Sequence, residues 1–139
     1  MHKVHVAFAS LALTLILSDT ACVAQTKASP SALGEEKSAS FAVRLSSNSG
    51  PPVRGYGEIE AVVADAGGKP VSDAHVSFDL DMTNMHMGKN VVEAVSQGDG
   101  RYVGKARFSM PGPWRIIVRV ARLGQAPEDV RFDFNVKFR

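Results

Sequence analysis

Residues 75–82 read HVSFDLDM, and apolar and polar side chains alternate along the whole stretch. The apolar positions are Val76, Phe78, Leu80 and Met82. Successive side chains of a β-strand point to opposite faces of the sheet. The pattern therefore predicts a half-buried antiparallel strand, with one apolar face against a core and one solvated face.

Similar alternation recurs on both sides of this strand, between segments rich in glycine, proline and serine. The other predicted strands cover Phe41 to Leu45, about Gly57 to Ala64, Val91 to Gln97, Arg101 to Met110, Trp114 to Ala121 and Val130 to Phe138. Short strands at this spacing, without a sustained helical period, are typical of sandwich folds. We therefore predict an all-β, immunoglobulin-like antiparallel sandwich of about seven strands over residues 39–139.

The N-terminus has the features of an export signal. A short basic start with Lys3 precedes an apolar run from Val4 to Leu17, and the small residues of 21–24 follow. The run is shorter than the roughly 18 residues of a membrane-spanning helix. We predict a signal peptide over residues 1–24, a periplasmic or otherwise extracytoplasmic location, and no transmembrane helix in the mature chain. The alternative is a lipoprotein with a lipid anchor at Cys22.

Residues 25–38 precede the predicted domain and differ from it in composition. They are rich in small and polar side chains and show no sustained period. Such a segment buries little apolar surface, so we predict a flexible linker.

Composition excludes several classes of function. The one cysteine is Cys22, so the mature domain contains neither disulfides nor thiolate metal ligands. The chain has 16 basic and 14 acidic residues and a net charge of +2, a balance that argues for neither nucleic acid nor an anionic surface as a partner. No nucleophile, acid or base constellation stands out, so we expect a binding protein and not an enzyme.

The segment MTNMHMG at residues 82–88 carries the clearest chemical signal. It holds three of the four methionines beyond the initiator, and the fourth is Met110. A meander of strands would bring Met82, the loop, Met110 and Trp114 to one end of the sandwich. Thioether and imidazole donors suit Cu(I) better than Zn(II), Mg(II) or Ca(II). The candidate copper ligands are Met82, Met85, His86, Met87 and Met110.

Two alternative interpretations stand beside the copper hypothesis. Met82 and Met110 fall in phase with apolar positions, and methionine commonly fills gaps in a core. The domain could also be a metal-free interaction module that docks on a protein partner or on the cell envelope through a sheet edge or the methionine-rich end. His75, Asp79 and Asp81 alternate with the apolar residues of their strand and are expected on a solvated face without a pocket.

Several motifs together resemble a known family. They are GKPVSDAHV at residues 68–76, the methionine-rich loop, GDGRY at 98–102 and FSMPGPW at 108–114. In this order they are similar to YtkA-like domains, which are related to FixH-type proteins. The resemblance extends from about Phe41 to Val120. It implies an immunoglobulin-like sandwich on the outer side of the cytoplasmic membrane.

The resemblance also bears on function. Some relatives are associated with copper handling or with the assembly of haem-copper oxidases, which implies that the five candidate ligands are the positions to test. This chain departs from FixH-type proteins because a cleavable leader is predicted in place of an evident retained membrane anchor. The leading hypothesis is an exported accessory domain that binds Cu(I) and stores it or passes it to a partner.

Overall fold

The computed structural model describes residues 29–139, and within this range the chain forms strands, turns and loops without a helix. Accordingly, no helix in the described range could span a membrane. The predicted signal peptide, the alternative lipid anchor at Cys22 and the start of the predicted linker lie outside the described residues.

Nine strands form two antiparallel sheets. In chain order they are β1 (Ser31–Lys37), β2 (Phe41–Ser47), β3 (Gly55–Asp65), β4 (Ala74–Met82), β5 (Val91–Glu93), β6 (Val95–Gly98), β7 (Arg101–Phe108), β8 (Gly112–Arg122) and β9 (Glu128–Val136). One sheet has the order β1-β2-β3-β7-β6 and the other has the order β5-β4-β8-β9. The predicted antiparallel sandwich is confirmed, with more strands than the sequence pattern indicated.

The core lies between the two sheets and follows the alternation along each strand. In β4, the side chains of Val76, Phe78, Leu80 and Met82 are buried, as predicted. β4 pairs with β8 in a continuous register that ends with Met82 opposite Trp114. Burial of each large apolar side chain contributes about 1.5–3 kcal/mol, so these inward rows are the main source of stability.

The prediction of a linker over residues 25–38 is wrong for residues 31–37. These residues form β1, which pairs with β2 from Ser31 opposite Ser47 to Lys37 opposite Ala42. Gly34 packs so closely on the Phe132 ring of the other sheet that an added Cβ would lie 3.3 Å from it. Backbone hydrogen bonds to β2 order the segment despite its small and polar side chains.

The predicted strand over residues 91–97 is divided between the sheets. β5 pairs with β4, whereas β6 pairs with β7, and Ala94 lies at the crossing. The predicted strand over residues 101–110 is also shorter in the structure, because β7 ends at Phe108. Met110 is therefore in a loop.

The sandwich has two distinct ends. At one end, Met82 pairs with Trp114 and Gly55 pairs with Phe108. We call it the methionine end, and it comprises the loops and the C-terminal residues next to these pairs: residues 48–54, 83–90, 109–111 and 137–139. The turn end comprises residues 66–70, 98–100 and 123–127. Every candidate ligand proposed from the sequence lies at or beside the methionine end.

Candidate metal centre at the methionine end

Strand register brings the predicted segments together. Met82 ends β4 opposite Trp114 on β8, and the Thr83 amide donates to the Pro113 carbonyl over 3.1 Å. The Trp114 indole N–H donates to the Met110 carbonyl over 2.9 Å. The loop of residues 83–90 and the loop that carries Met110 therefore lie at the same end. Their role as metal ligands remains a prediction.

Asp81 organises the methionine-rich loop. Its Oδ1 atom accepts hydrogen bonds from the Met82 amide over 2.9 Å and from the Met87 amide over 2.8 Å. Its Oδ2 atom lies 2.7 Å from His86 Nδ1. Hydrogen bonding from the Met87 amide, and then from His86, lowers the pKa of Asp81. One carboxylate thus holds the backbone where the loop begins, the backbone at Met87 where the loop folds back, and the His86 ring.

His86 is held in an arrangement typical of metal-binding histidines. A ligating imidazole usually gives its second ring N–H to a carboxylate or carbonyl group, which fixes the tautomer. When Nδ1 carries the proton and donates to Asp81, Nε2 has its lone pair available to a metal ion. The His86 side chain is 80% exposed, so an ion could reach it from solvent.

The four methionines of residues 29–139 occupy two kinds of environment. Met82 is buried in the core, and its methyl group lies so close to Gly112 that an added Cβ would be 3.0 Å away. Met87 is partly buried against the core. Met85 and Met110 are 47% and 36% exposed. The core-filling interpretation thus describes the position of Met82 but is wrong for Met110.

A groove of about 560 Å³ runs beside the loop along the outer face of β4 and β8. It is lined in part by Asp79, Asp81, His86 and the arginines Arg115 and Arg119. The face is solvated as expected, but the expectation that it carries no pocket is wrong. Asp81 also has a structural role that strand alternation did not reveal.

The arginines of the groove are already paired with carboxylates. Arg115 binds both carboxylate oxygens of Asp133 over 2.6 and 2.8 Å. Arg119 binds Asp129 in the same way over 2.8 and 2.9 Å. The guanidinium groups lower the pKa of both aspartates and stay charged themselves. The two ion pairs therefore link β8 to β9 along the groove.

His75 provides a contrast on the same strand. Its Nε2 atom lies 2.7 Å from a Glu93 carboxylate oxygen, and its side chain is 69% exposed, as expected for a solvated face. Within residues 29–139, no group of three or more His, Cys, Asp or Glu side chains is arranged to hold a metal ion. The candidate donors at the methionine end are instead the imidazole of His86 and the thioethers of the methionines.

Fold and site together define a small β-sandwich domain that presents a methionine and histidine loop at one end. Residues 35–119 match the YtkA-like family. The match covers more than half of the chain, and the protein belongs to this family. The resemblance found in the sequence motifs is therefore confirmed.

Solved structures share the fold at low sequence identity. A copper-bound variant of FetP from uropathogenic Escherichia coli strain F11 is 11% identical with a TM-score of 0.57, covering 77% of this chain and 97% of its own. FetP as isolated, expressed recombinantly in the E. coli periplasm, is 12% identical with a TM-score of 0.55, covering 78% and 96%. A DUF4426 family protein from Pseudomonas aeruginosa PAO1 is 13% identical with a TM-score of 0.51, covering 75% and 96%. No curated protein sequence matches the chain.

Proposed function

We propose that this protein is an exported accessory domain that binds Cu(I) at the methionine end and holds it for transfer to a partner. The observation that carries the proposal is the loop of residues 85–87. Asp81 fixes the His86 ring, and thioethers flank that histidine in the sequence. We also propose that the domain acts by binding and not by catalysis.

The donor chemistry supports a monovalent, soft ion. Thioether sulfur carries no charge and is a soft ligand, so a site built from methionine and one histidine favours Cu(I) over hard divalent cations. Met85, Met110 and His86 are accessible to solvent. An incoming partner could therefore replace one donor at a time, which suits transfer better than permanent storage.

The comparisons with solved structures also support copper binding outside the cytoplasm. FetP shares the sandwich fold and has been solved with copper bound, and the as-isolated protein was expressed in the periplasm. The predicted signal peptide would bring this chain to an equivalent compartment. Methionine and histidine remain usable ligands outside the cytoplasm, where thiols are oxidised.

Competitive titration of the purified protein with Cu(I) and a chromogenic chelator tests the proposal. We expect the variant Met85→Leu with Met87→Leu, and separately His86→Ala, to weaken Cu(I) binding at least about tenfold, the usual scale for disturbing a metal site. Leucine keeps the volume of methionine, so the fold should persist.

His75→Ala is the matched control. His75 and His86 are both exposed, and each ring nitrogen lies 2.7 Å from a carboxylate oxygen. We expect the affinity of His75→Ala to equal that of the wild type. Equal affinities in all variants and the wild type would refute the copper proposal.

A metal-free interaction module is the second candidate. Met85 and Met110 are apolar side chains with 47% and 36% exposure, and flexible thioethers suit adaptable contacts with another protein. A pull-down of a partner from envelope extract separates the two functions. Partner binding that is unchanged by copper or chelator, but lost in the leucine variants, would favour this candidate.

A further inference from the structure

A second groove lies at the methionine end, where β3 begins and β9 has ended. It has a volume of about 590 Å³ and is lined by Arg54, Gly55, Tyr56, Phe138 and Arg139. The Arg54 amide donates to the Lys137 carbonyl over 2.9 Å, and the Lys137 amide donates to the Pro52 carbonyl over 3.0 Å. These bonds attach the C-terminal residues to the loop before β3.

Two aromatic rings in this groove are exposed. Tyr56 is 61% exposed and Phe138 is 74% exposed. Lys105 Nζ lies 5.2 Å from the centroid of the Tyr56 ring, and Arg107 Cζ lies 5.8 Å from it. We call this set the basic aromatic patch: Arg54, Tyr56, Lys105, Arg107, Phe138 and Arg139.

The cations of the patch differ from most other arginines of the fold, which pair with carboxylates. Arg115 and Arg119 each bind an aspartate, and Arg101 binds Glu60. Within residues 29–139, the four cations of the patch form no salt bridge with a carboxylate side chain. The groove lining likewise contains no acidic side chain. Glu58 lies opposite Lys105 in the pairing of β3 with β7, so this carboxylate offsets part of the charge. The patch still offers an excess of positive charge beside exposed aromatic surface.

The direction of β1 relates this patch to the membrane. β1 begins at Ser31 opposite Ser47, at the methionine end. Cys22, the alternative site of lipid attachment, precedes Ser31 by nine residues, which span at most about 30 Å. The chain thus enters the fold at the same end as the basic aromatic patch. A lipid attached at Cys22 would keep this end close to the lipid surface.

The geometry points to the basic aromatic patch as a docking site for an anionic phospholipid surface. Tyrosine and phenylalanine rings insert at the boundary between headgroups and acyl chains, and lysine and arginine are attracted to anionic headgroups. Docking would hold the methionine end at the membrane. The inference does not depend on metal binding.

Vesicle co-sedimentation without copper tests this inference. The probe is phosphatidylcholine vesicles with and without phosphatidylglycerol, added to protein that was purified after export and defined by intact mass. We expect binding only when phosphatidylglycerol is present, and weaker binding at high salt. Arg54→Gln with Arg107→Gln should weaken binding about twentyfold or more, because each basic residue near such a surface contributes about fivefold.

Further variants test whether vesicle binding depends on the basic aromatic patch or on exposed apolar and basic residues anywhere on the surface. Tyr56→Ala with Phe138→Ala should also reduce vesicle binding about tenfold or more, since burial of two aromatic side chains is lost. Leu123→Ala with Lys69→Gln changes one exposed apolar and one basic residue at the turn end, and should bind like the wild type. Thermal unfolding of each variant confirms that the fold is retained.

Several outcomes would overturn the inference. Failure of the wild type to bind phosphatidylglycerol vesicles would do so, as would equal losses in the patch and turn-end variants. Binding to soluble polyglutamate without binding to vesicles would identify an acidic protein as the partner and exclude lipid. A wild type that binds vesicles but does not bind Cu(I) would refute the copper proposal and leave this inference standing.

Discussion

The two ends of the sandwich are built in different ways. At the turn end, the Val63 amide donates to the Gly100 carbonyl over 2.7 Å, and the Gly100 amide donates to Ser72 Oγ over 2.8 Å. The buried Tyr102 hydroxyl donates to the Val71 carbonyl over 2.8 Å. At the methionine end, exposed His86 and Met85 lie on a loop that one carboxylate organises.

This difference separates stability from binding within one small domain. Short glycine turns and buried hydrogen bonds hold the strands together at one end. The other end is free to expose thioether, imidazole, aromatic and basic groups. Changes at the turn end should therefore affect the free energy of unfolding, and changes at the methionine end should affect affinity.

The largest effect is expected for Gly100→Ala. Gly100 has φ of 73°, and an added Cβ would overlap the Val63 carbonyl oxygen. We expect a loss of about 3 kcal/mol or more in the free energy of unfolding, measured by urea denaturation, from backbone strain and steric overlap. Gly98→Ala is the control, because Gly98 has φ of 81° but open space around it. It should cost about 1 kcal/mol.

Tyr102→Phe should have the next largest effect. The hydroxyl donates to the Val71 carbonyl and accepts a hydrogen bond from the Ala74 amide over 3.2 Å. Removal leaves backbone groups without this partner, so we expect a loss of about 1–3 kcal/mol in thermal or urea unfolding. Tyr56→Phe changes an exposed ring and should stay within about 0.5 kcal/mol of wild type. Equal costs would contradict the assigned role of the Tyr102 hydroxyl.

Asp81→Ala, unlike the two turn-end variants, should change Cu(I) affinity more than the free energy of unfolding. The variant loses the group that holds His86 and the Met87 amide, so we expect Cu(I) affinity to fall about tenfold in chelator competition. Glu93→Ala removes the corresponding partner of His75 and should leave affinity unchanged. An unchanged affinity in Asp81→Ala would show that the loop needs no fixed histidine.

Asp81 should also contribute to acid sensitivity. Its pKa is lower in the folded protein than the ordinary value of 3.8, so ionised Asp81 stabilises the fold above that value. The contribution is lost as pH falls through the folded pKa. Urea denaturation between about pH 5 and pH 2 should show a smaller acid-induced loss for Asp81→Asn than for the wild type. Part of the loss should remain, because Glu128, Asp129 and Asp133 also have lowered pKa values.

The smallest effects on stability are expected at two methionines. Met82→Leu replaces a core side chain by one of similar volume and should cost less than about 1.5 kcal/mol. Met110→Leu changes an exposed loop residue and should stay within about 0.5 kcal/mol.

In chelator competition, Met110→Leu should weaken Cu(I) binding and buried Met82→Leu should not. The opposite result would place the metal ion nearer to the core.

Strand alternation predicted the parts of the fold that have one buried and one exposed face. Val76 to Met82 are the clearest example, and their register with β8 places Met82 opposite Trp114. The sequence of β1 shows no such alternation, and its composition indicated a linker. The strand forms because its backbone pairs with β2. The position of Met110 was also missed, because the apolar phase continues past Phe108 whereas pairing stops there.

The donor types and the end of the sandwich could be inferred from sequence, but the role of Asp81 could not. Alternation assigns Asp81 only to the outer face of β4. Its three contacts depend on the path by which residues 83–87 fold back, and local sequence does not specify that path. An aspartate at the end of a strand, followed by a loop with histidine and methionine, is the signal that could have indicated it.

The pairing of β1 has a practical consequence for recombinant work. A truncated protein that starts at residue 39, where the sequence alone places the domain boundary, would lack β1 and expose the edge of β2. Unpaired edge strands template intermolecular pairing, and Phe132 would lose the cover of Gly34. Expression should begin upstream of Ser31, since shorter versions are expected to aggregate even though every core strand is present.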